Sequence, residues 1–161
     1  MHNSFCAGMV TALYCRTARK CDMGIEAQEK RLRQYAEEHG YSNIEIYIDN
    51  GYGGVNFDRP AFQKMMNAIS NGEIRCVIIK DICRISRSYL HFGKWFDDMR
   101  GINVRVVAIN DSLDSGNYYI QDVSLVEVIE KYYRDAHSKR IKAGIAHARM
   151  RKLEQSANQA K

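Results

Sequence analysis

The sequence contains one proline, Pro60, and one tryptophan, Trp95, and it has no run of apolar residues approaching a membrane span, for which about 20 would be needed. Scarce proline together with 45% apolar and 27% charged residues excludes a proline-rich disordered chain or a membrane protein and leaves a soluble globular one. No Lys or Arg precedes the mildly apolar stretch 5–15, and no small-residue cleavage pattern follows it before Arg16, so a secretory signal is not indicated. The five cysteines (Cys6, Cys15, Cys21, Cys76, Cys83) form no C-x-x-C pair and have no histidines at matching spacing. That argues against a zinc site and against a disulfide framework. A reducing cytoplasm is the expected location.

What is present is enough chain, 161 residues, for one domain with a proper core but not for two. The net charge is +5, and its placement matters more than its size. Residues 131–161 carry nine Lys or Arg against two acids, +7, which leaves about −2 for residues 1–130. The basic character belongs to the tail.

Hydrophobic spacing predicts strand 10–15, a helix over 25–39 stopped by Gly40, strand 44–48, a glycine-rich loop 51–54, and a helix opened by Pro60 and ended near Gly72. Strand 76–79, a helix carrying Phe92, Trp95, Phe96 and Met99 at i, i+3, i+4, i+7, and strand 104–109 follow. This alternation predicts an α/β fold: a mostly parallel central sheet of four to five strands, with helices on both faces. A long C-terminal helix is expected from about Tyr118 to the region of Arg151. Its first half is apolar on more than one face (Val123, Leu125, Val126, Val128, Ile129, Tyr132, Tyr133), which suits packing against the domain and a second copy at once. A helix wrapped on its own core is the plainer alternative.

Arginine placement carries the chemistry. Arg16 lies just past the first strand, Arg59 ends the glycine-rich loop, and Arg84 and Arg87 follow the third strand after Lys80. Ligands of open parallel sheets bind beyond the carboxyl ends of the strands, so these positions converge on one guanidinium-rich pocket suited to phosphate. Phosphoryl transfer needs preorganised charge around its equatorial oxygens. No carboxylate cluster able to hold Mg²⁺ stands at the strand exits. Arginine, planar and permanently charged, is the metal-free substitute.

Four segments occur in order: Tyr14-Cys15-Arg16-Thr17-Ala18; Gly24-Ile25-Glu26-Ala27-Gln28; Asp49-Asn50-Gly51-Tyr52-Gly53-Gly54-Val55-Asn56-Phe57-Asp58-Arg59-Pro60; and Lys80-Asp81-Ile82-Cys83-Arg84-Ile85-Ser86-Arg87. They resemble the motifs Y-x-R-x-S, S-x-x-x-Q, D-x-G-x-S-G-x-n-x-D-R-P and K-D-x-x-R-x-x-R of the catalytic domains of serine site-specific recombinases, the resolvase and invertase family, especially the large ones. The similarity spans residues 10–145 and reaches Asp135 to Ile141 on the long helix. It implies a resolvase-like fold with a catalytic core over residues 1–120. A dimerisation and DNA-contacting helix with its basic tail would then occupy residues 121–161. It also implies that Arg16, Arg59, Arg84 and Arg87 hold a scissile DNA phosphate, with Gln28 supporting them and no metal or cofactor required. In active relatives a serine attacks the phosphodiester and stores the bond as a phosphoserine ester. Double-stranded DNA and a homodimer, becoming a tetramer on DNA, are the implied partners.

The sequence departs from the family pattern at four places. Gly24 and Gly53 stand where the motifs have serine, and Cys83 stands where the small resolvases have aspartate, so a proton-transfer role there is not inherited. Ala18 occupies the nucleophile position, and a methyl group cannot attack phosphorus. Loss of a nucleophile costs on the order of 10⁴ to 10⁶ in rate. Thr17 is a poor substitute because neighbours on an extended chain point to opposite sides. Ser86 is poorer still.

Three histories fit Ala18: deliberate replacement, loss in a degenerating mobile element, or a relative kept for binding without cleavage. A nucleotide-binding domain is the distant alternative, but G-x-G-x-x-G would need glycine at Asn56. The basic tail, with Lys139, Arg140, Lys142 and Arg149, is expected to contact DNA. The sequence runs to Lys161, where relatives continue into a DNA-reading domain, so an isolated catalytic fragment or a truncated relative is expected.

Overall fold

The structure is a computed structural model; it describes residues 10–116 together with Ser124 and Val126. The chain divides into two units, Met1–Val126 and Glu127–Lys161. Apart from Ser124 and Val126, the long helix expected from about Tyr118 to the region of Arg151, with the basic residues Lys139, Arg140, Lys142 and Arg149, lies outside the described residues.

Five strands form one sheet in the order β2-β1-β3-β4-β5. They are β1 (Val10–Thr17), β2 (Ile44–Asn50), β3 (Ile74–Ile79), β4 (Arg105–Ala108) and β5 (Leu113–Asp114), and the helices are α1 (Asp22–Glu38), α2 (Pro60–Ser70) and α3 (Tyr89–Gly101). The first four strands are parallel and β5 is antiparallel to β4. This is the mostly parallel α/β sheet that the alternation predicts.

β1 divides the core by alternation. Ala12 and Tyr14 join Phe62 and Met65 of α2 and Phe92 and Phe96 of α3 on one face. Leu13 and Cys15 join Ile25, Leu32 and Ala36 of α1 on the other. The chain leaves β1 toward β2 over one face and then crosses to β3 and β4 over the opposite one. That arrangement follows when each crossover is right-handed. The direction of winding reverses between β1 and β3, which is where an open α/β sheet forms its binding crevice.

Helix α1 begins three residues before the predicted start. Its opening turn, Asp22, Met23 and Gly24, is exposed or half-buried, so apolar spacing cannot mark it; the Ile25 amide closes that turn on the Cys21 carbonyl at 3.1 Å. Pro60 opens α2 as expected, and α1 is stopped at Gly40, whose φ of 67° suits a residue without a Cβ. β5 is two residues long and carries no periodicity. It is held by a two-bond Arg105–Asp114 pair, Nε to Oδ1 at 2.9 Å and Nη2 to Oδ2 at 2.7 Å. Beyond it, the Ser124 hydroxyl and the Val126 amide meet the Asp97 carboxylate of α3.

Candidate phosphate site at the strand exits

Three segments meet beyond the carboxyl ends of β1 and β3: the end of β1, the loop between β2 and α2, and the turn after β3. Residues Ile82–Arg84 form a short 3₁₀ turn, and its carbonyls organise the site. Arg16 is 2% exposed. Its Nε donates to the Arg84 carbonyl at 2.8 Å, Nη2 to the Cys83 carbonyl at 2.7 Å and Nη1 to the Tyr52 carbonyl at 2.7 Å. Arg59 is fully buried. Its Nη1 donates to the same Arg84 carbonyl and to the Tyr14 hydroxyl, both at 2.9 Å, and its Nη2 to the Ile85 carbonyl at 2.6 Å. The Arg84 guanidinium returns the contact, donating from Nη1 to the Arg16 carbonyl at 2.9 Å, and pairs with Asp81 at 3.1 Å. Arg16, Arg59 and Arg84 therefore form one interlocked unit.

Their side chains do not all face outward, as spacing alone suggests. Arg16 and Arg59 turn in because backbone carbonyls of the turn and of Tyr52 occupy their donors. The Arg59 guanidinium carbon lies over the Phe62 ring, 4.6 Å from its centroid. Burial lowers the pKa of both arginines, and for Arg16 the charges of Arg59 and Arg84 lower it further, yet a guanidinium stays charged at any physiological pH. Arg87 differs: it is exposed, and its guanidinium has no partner among the described residues. Lys80, just past the end of β3, is half-buried. The site thus presents the exposed Arg87 guanidinium on a foundation of buried positive charge, an arrangement that favours an anion at its mouth.

Several residues that arginine placement did not single out hold this unit together. Asp49 at the end of β2 is 1% exposed; it accepts from the Ala61 and Phe62 amides at 3.0 and 2.9 Å and from the Tyr14 hydroxyl at 2.8 Å. It caps α2 from a neighbouring strand and links, through Tyr14, to Arg59. Gln28 accepts from the Arg16 amide and donates to the Gly24 carbonyl, fastening α1 to the end of β1. Asn50 accepts from the Thr17 hydroxyl at 2.7 Å and the Cys21 amide at 2.9 Å, and donates to Asp22 at 2.6 Å. Asn50 therefore brackets the loop that carries Ala18, which is exposed. The Thr17 hydroxyl is engaged with Asn50, and that of buried Ser86 lies between the Ser88 amide and the Gly54 carbonyl. Neither is presented as a nucleophile.

The family model for the resolvase N-terminal domain matches residues 11–153. The chain belongs to that family. The transposon Tn917 resolvase of Enterococcus faecalis is 28% identical over 131 residues, covering 79% of this chain and 68% of the relative. Among solved structures, the N-terminal catalytic domain of TP901-1 integrase superposes with a TM-score of 0.70 at 24% identity, covering 80% of this chain and 98% of that one. A resolvase family site-specific recombinase from Streptococcus pneumoniae gives 0.62 at 22%, over 88% and 99%. Both share the fold.

Within this resolvase-family frame the two serine-to-glycine departures differ physically. A Cβ at residue 53 meets no atom within 4 Å, so nothing in the packing requires glycine there. A Cβ at residue 24 meets Cys21 Sγ at 3.0 Å, a tight but flexible neighbour. Cys83, where small resolvases have aspartate, donates its thiol to Asp81 at 2.6 Å, and burial followed by that bond raises its pKa. Among the described residues no group of three His, Cys, Asp or Glu could hold a metal ion, and no helix is long and apolar enough to cross a membrane.

Proposed function

We propose that this chain is the catalytic domain of a serine site-specific DNA recombinase that grips a DNA phosphate at the strand exits and, with Ala18 at the nucleophile position, does not cleave it. The observation that carries this reading is the interlocked Arg16–Arg59–Arg84 unit with exposed Arg87 beside it. Arg87 and the partly exposed Arg84 touch the phosphate. Arg16 and Arg59 act from behind, fixing the turn and supplying positive potential. Gln28 holds the β1 end in place. Family membership supports DNA as the substrate and a homodimer, assembling to a tetramer on DNA, as the working form. Residues 121–161 supply the dimerisation and DNA-contacting helix, with Lys139, Arg140, Lys142 and Arg149 on the duplex backbone. Among the described residues Cys15, Cys21, Cys76 and Cys83 form no disulfide, which suits a reducing cytoplasm.

Ala18 favours a second reading alongside this one: a relative retained for DNA binding without strand exchange. One experiment tests both. Ala18→Ser, placed in a full-length recombinase context and mixed with duplex DNA, is expected to give a covalent protein–DNA adduct on a denaturing gel, and the parent none. An Ala18→Ser protein that binds DNA but forms no adduct refutes a cleavage-ready pocket and leaves the binding reading.

A further inference from the structure

The carbonyls that hold Arg16 and Arg59 all belong to Tyr52 or to residues 83–85, so the arginine unit is only as fixed as the turn after β3. Internally that turn is short: Arg84 closes on Asp81, and Ile85 and Ser86 both close on Ile82. Its first amide, Ile82, has no earlier helical carbonyl to use. Asp111 supplies the acceptor, with Oδ2 2.7 Å from the Ile82 nitrogen.

Asp111 reaches this place because the exits of β3 and β4 are zipped together. The Ile109 amide donates to the Ile79 carbonyl at 3.0 Å and the Asn110 amide to the Lys80 carbonyl at 2.8 Å. The chain then turns sharply into β5 through Ser112 at φ 52°, a left-handed conformation uncommon for serine. Of the three non-glycine residues with positive φ among the described residues, the other two are asparagines, which tolerate it far better. A strained turn persists where its surroundings over-determine it, and here those surroundings include the Asp111 contact.

We propose that Asp111 is a positioning residue for the phosphate-binding arginines. It clamps the start of the 82–84 turn, and through the turn's carbonyls it sets the orientation of Arg16 and Arg59. Its functional meaning rests on the phosphate-binding reading above; its structural effect does not. The same clamp ties the arginine turn to β5, which follows two residues after Asp111.

The test compares Asp111→Ala and Asp111→Asn in the full chain by following solvent exchange of the Arg16 Nε–H with NMR, using the backbone amides of β1 and β3 as internal controls. Loss of a charge-assisted acceptor at a net cost near the low end of its usual range predicts about tenfold faster exchange in the alanine variant. The neutral amide oxygen of asparagine still accepts, and about threefold is expected there. In both variants the β1 and β3 amides keep their protection. Arg16 exchange unchanged in Asp111→Ala overturns the proposal; should that variant not fold, parity of Asp111→Asn with the parent overturns it equally. Adduct formation is then measured for Asp111→Ala in the Ala18→Ser background, where a roughly tenfold slower rate is expected. An Ala18→Ser parent that gives no adduct while Arg16 exchanges slowly counts against the phosphate-transfer reading alone.

Discussion

Adding one methyl group at residue 54 is expected to displace the buried Arg16 guanidinium. A Cβ built on Gly54 falls 2.7 Å from Arg16 Nη2, 3.1 Å from its Cζ and 3.1 Å from Arg87 Cγ. The end of an arginine usually swings away at little cost. Arg16 cannot, because three carbonyls from two segments fix its fork and the residue is 2% exposed. Nη2 is the atom struck hardest, and its retreat breaks the bond to the Cys83 carbonyl. Overpacking costs about 1–3 kcal/mol, and a lost hydrogen bond from a charged group about 1.5–3 kcal/mol. Gly54→Ala is therefore expected to lose roughly 2–5 kcal/mol, allowing for partial relaxation. Thermal unfolding followed by circular dichroism reads this directly, since 1 kcal/mol moves the midpoint of a domain this size by about 3–4 °C. Gly53→Ala is the control: its Cβ meets nothing within 4 Å, and it is expected to stay within about 0.5 kcal/mol of the parent. A Gly54→Ala protein melting within about 1 °C of the parent refutes the view that Arg16 is fixed. Equal destabilisation by the two substitutions refutes it as well.

Tyr14→Phe removes the hydroxyl that joins Arg59 to Asp49 and is expected to cost about 1–3 kcal/mol in urea unfolding. Burial, first among the causes, raises the Tyr14 pKa above its usual value. Its stabilising contribution is therefore complete below the ordinary tyrosine range, near pH 10, and is lost as pH rises through it. The variant should show a shallower alkaline fall in stability than the parent, and matching slopes would count against a buried, protonated phenol. Arg87→Ala removes an exposed side chain without a partner among the described residues. It is expected to leave the melting temperature within about 2 °C while reducing the salt slope of duplex binding by about 0.9, one phosphate contact. Lys139, Arg140 and Lys142 changed together to alanine are expected to weaken duplex binding and flatten the slope by up to about 2.7; an unchanged titration removes that segment from the interface.

The strand and helix order is legible because it rests on long apolar periodicities with glycine and proline punctuation, as at Gly40, Pro60 and Gly72. β5 is not, since two residues cannot show a period and Asp114 owes its place to Arg105, nine residues earlier. The same division runs through the site. Sequence places Arg16, Arg59 and Arg84 at neighbouring strand exits, and the structure brings them together. It gives no sign that two of them turn inward, because that depends on the Tyr52 carbonyl and on those of residues 83–85, at and just after a 3₁₀ turn clamped by Asp111, well over twenty residues away. Tyr14 and Asp49 stand within the quoted motifs, but their roles as acceptor and cap emerge only when β1, β2 and α2 pack side by side.

The burial pattern also bears on why an arginine set persists beside an alanine. Ala18 is exposed and its side chain holds nothing in place, so exchanging serine for alanine there carries little structural cost. Arg16 and Arg59 are the opposite case. Each is a buried cation held mainly by carbonyls, and truncating Arg16 would abandon the Cys83 and Tyr52 carbonyls and truncating Arg59 the Ile85 carbonyl, a penalty of about 1–3 kcal/mol for each group abandoned. Selection for folding alone is enough to retain them. Their presence is thus weak evidence that cleavage was kept. Arg87 is the informative residue, because it contributes no contact to the fold that would preserve its charge. Its charge on the open side of the site fits the proposed contact with an anion, and the salt slope of Arg87→Ala is therefore the measurement that separates a binding role from a merely structural arginine set.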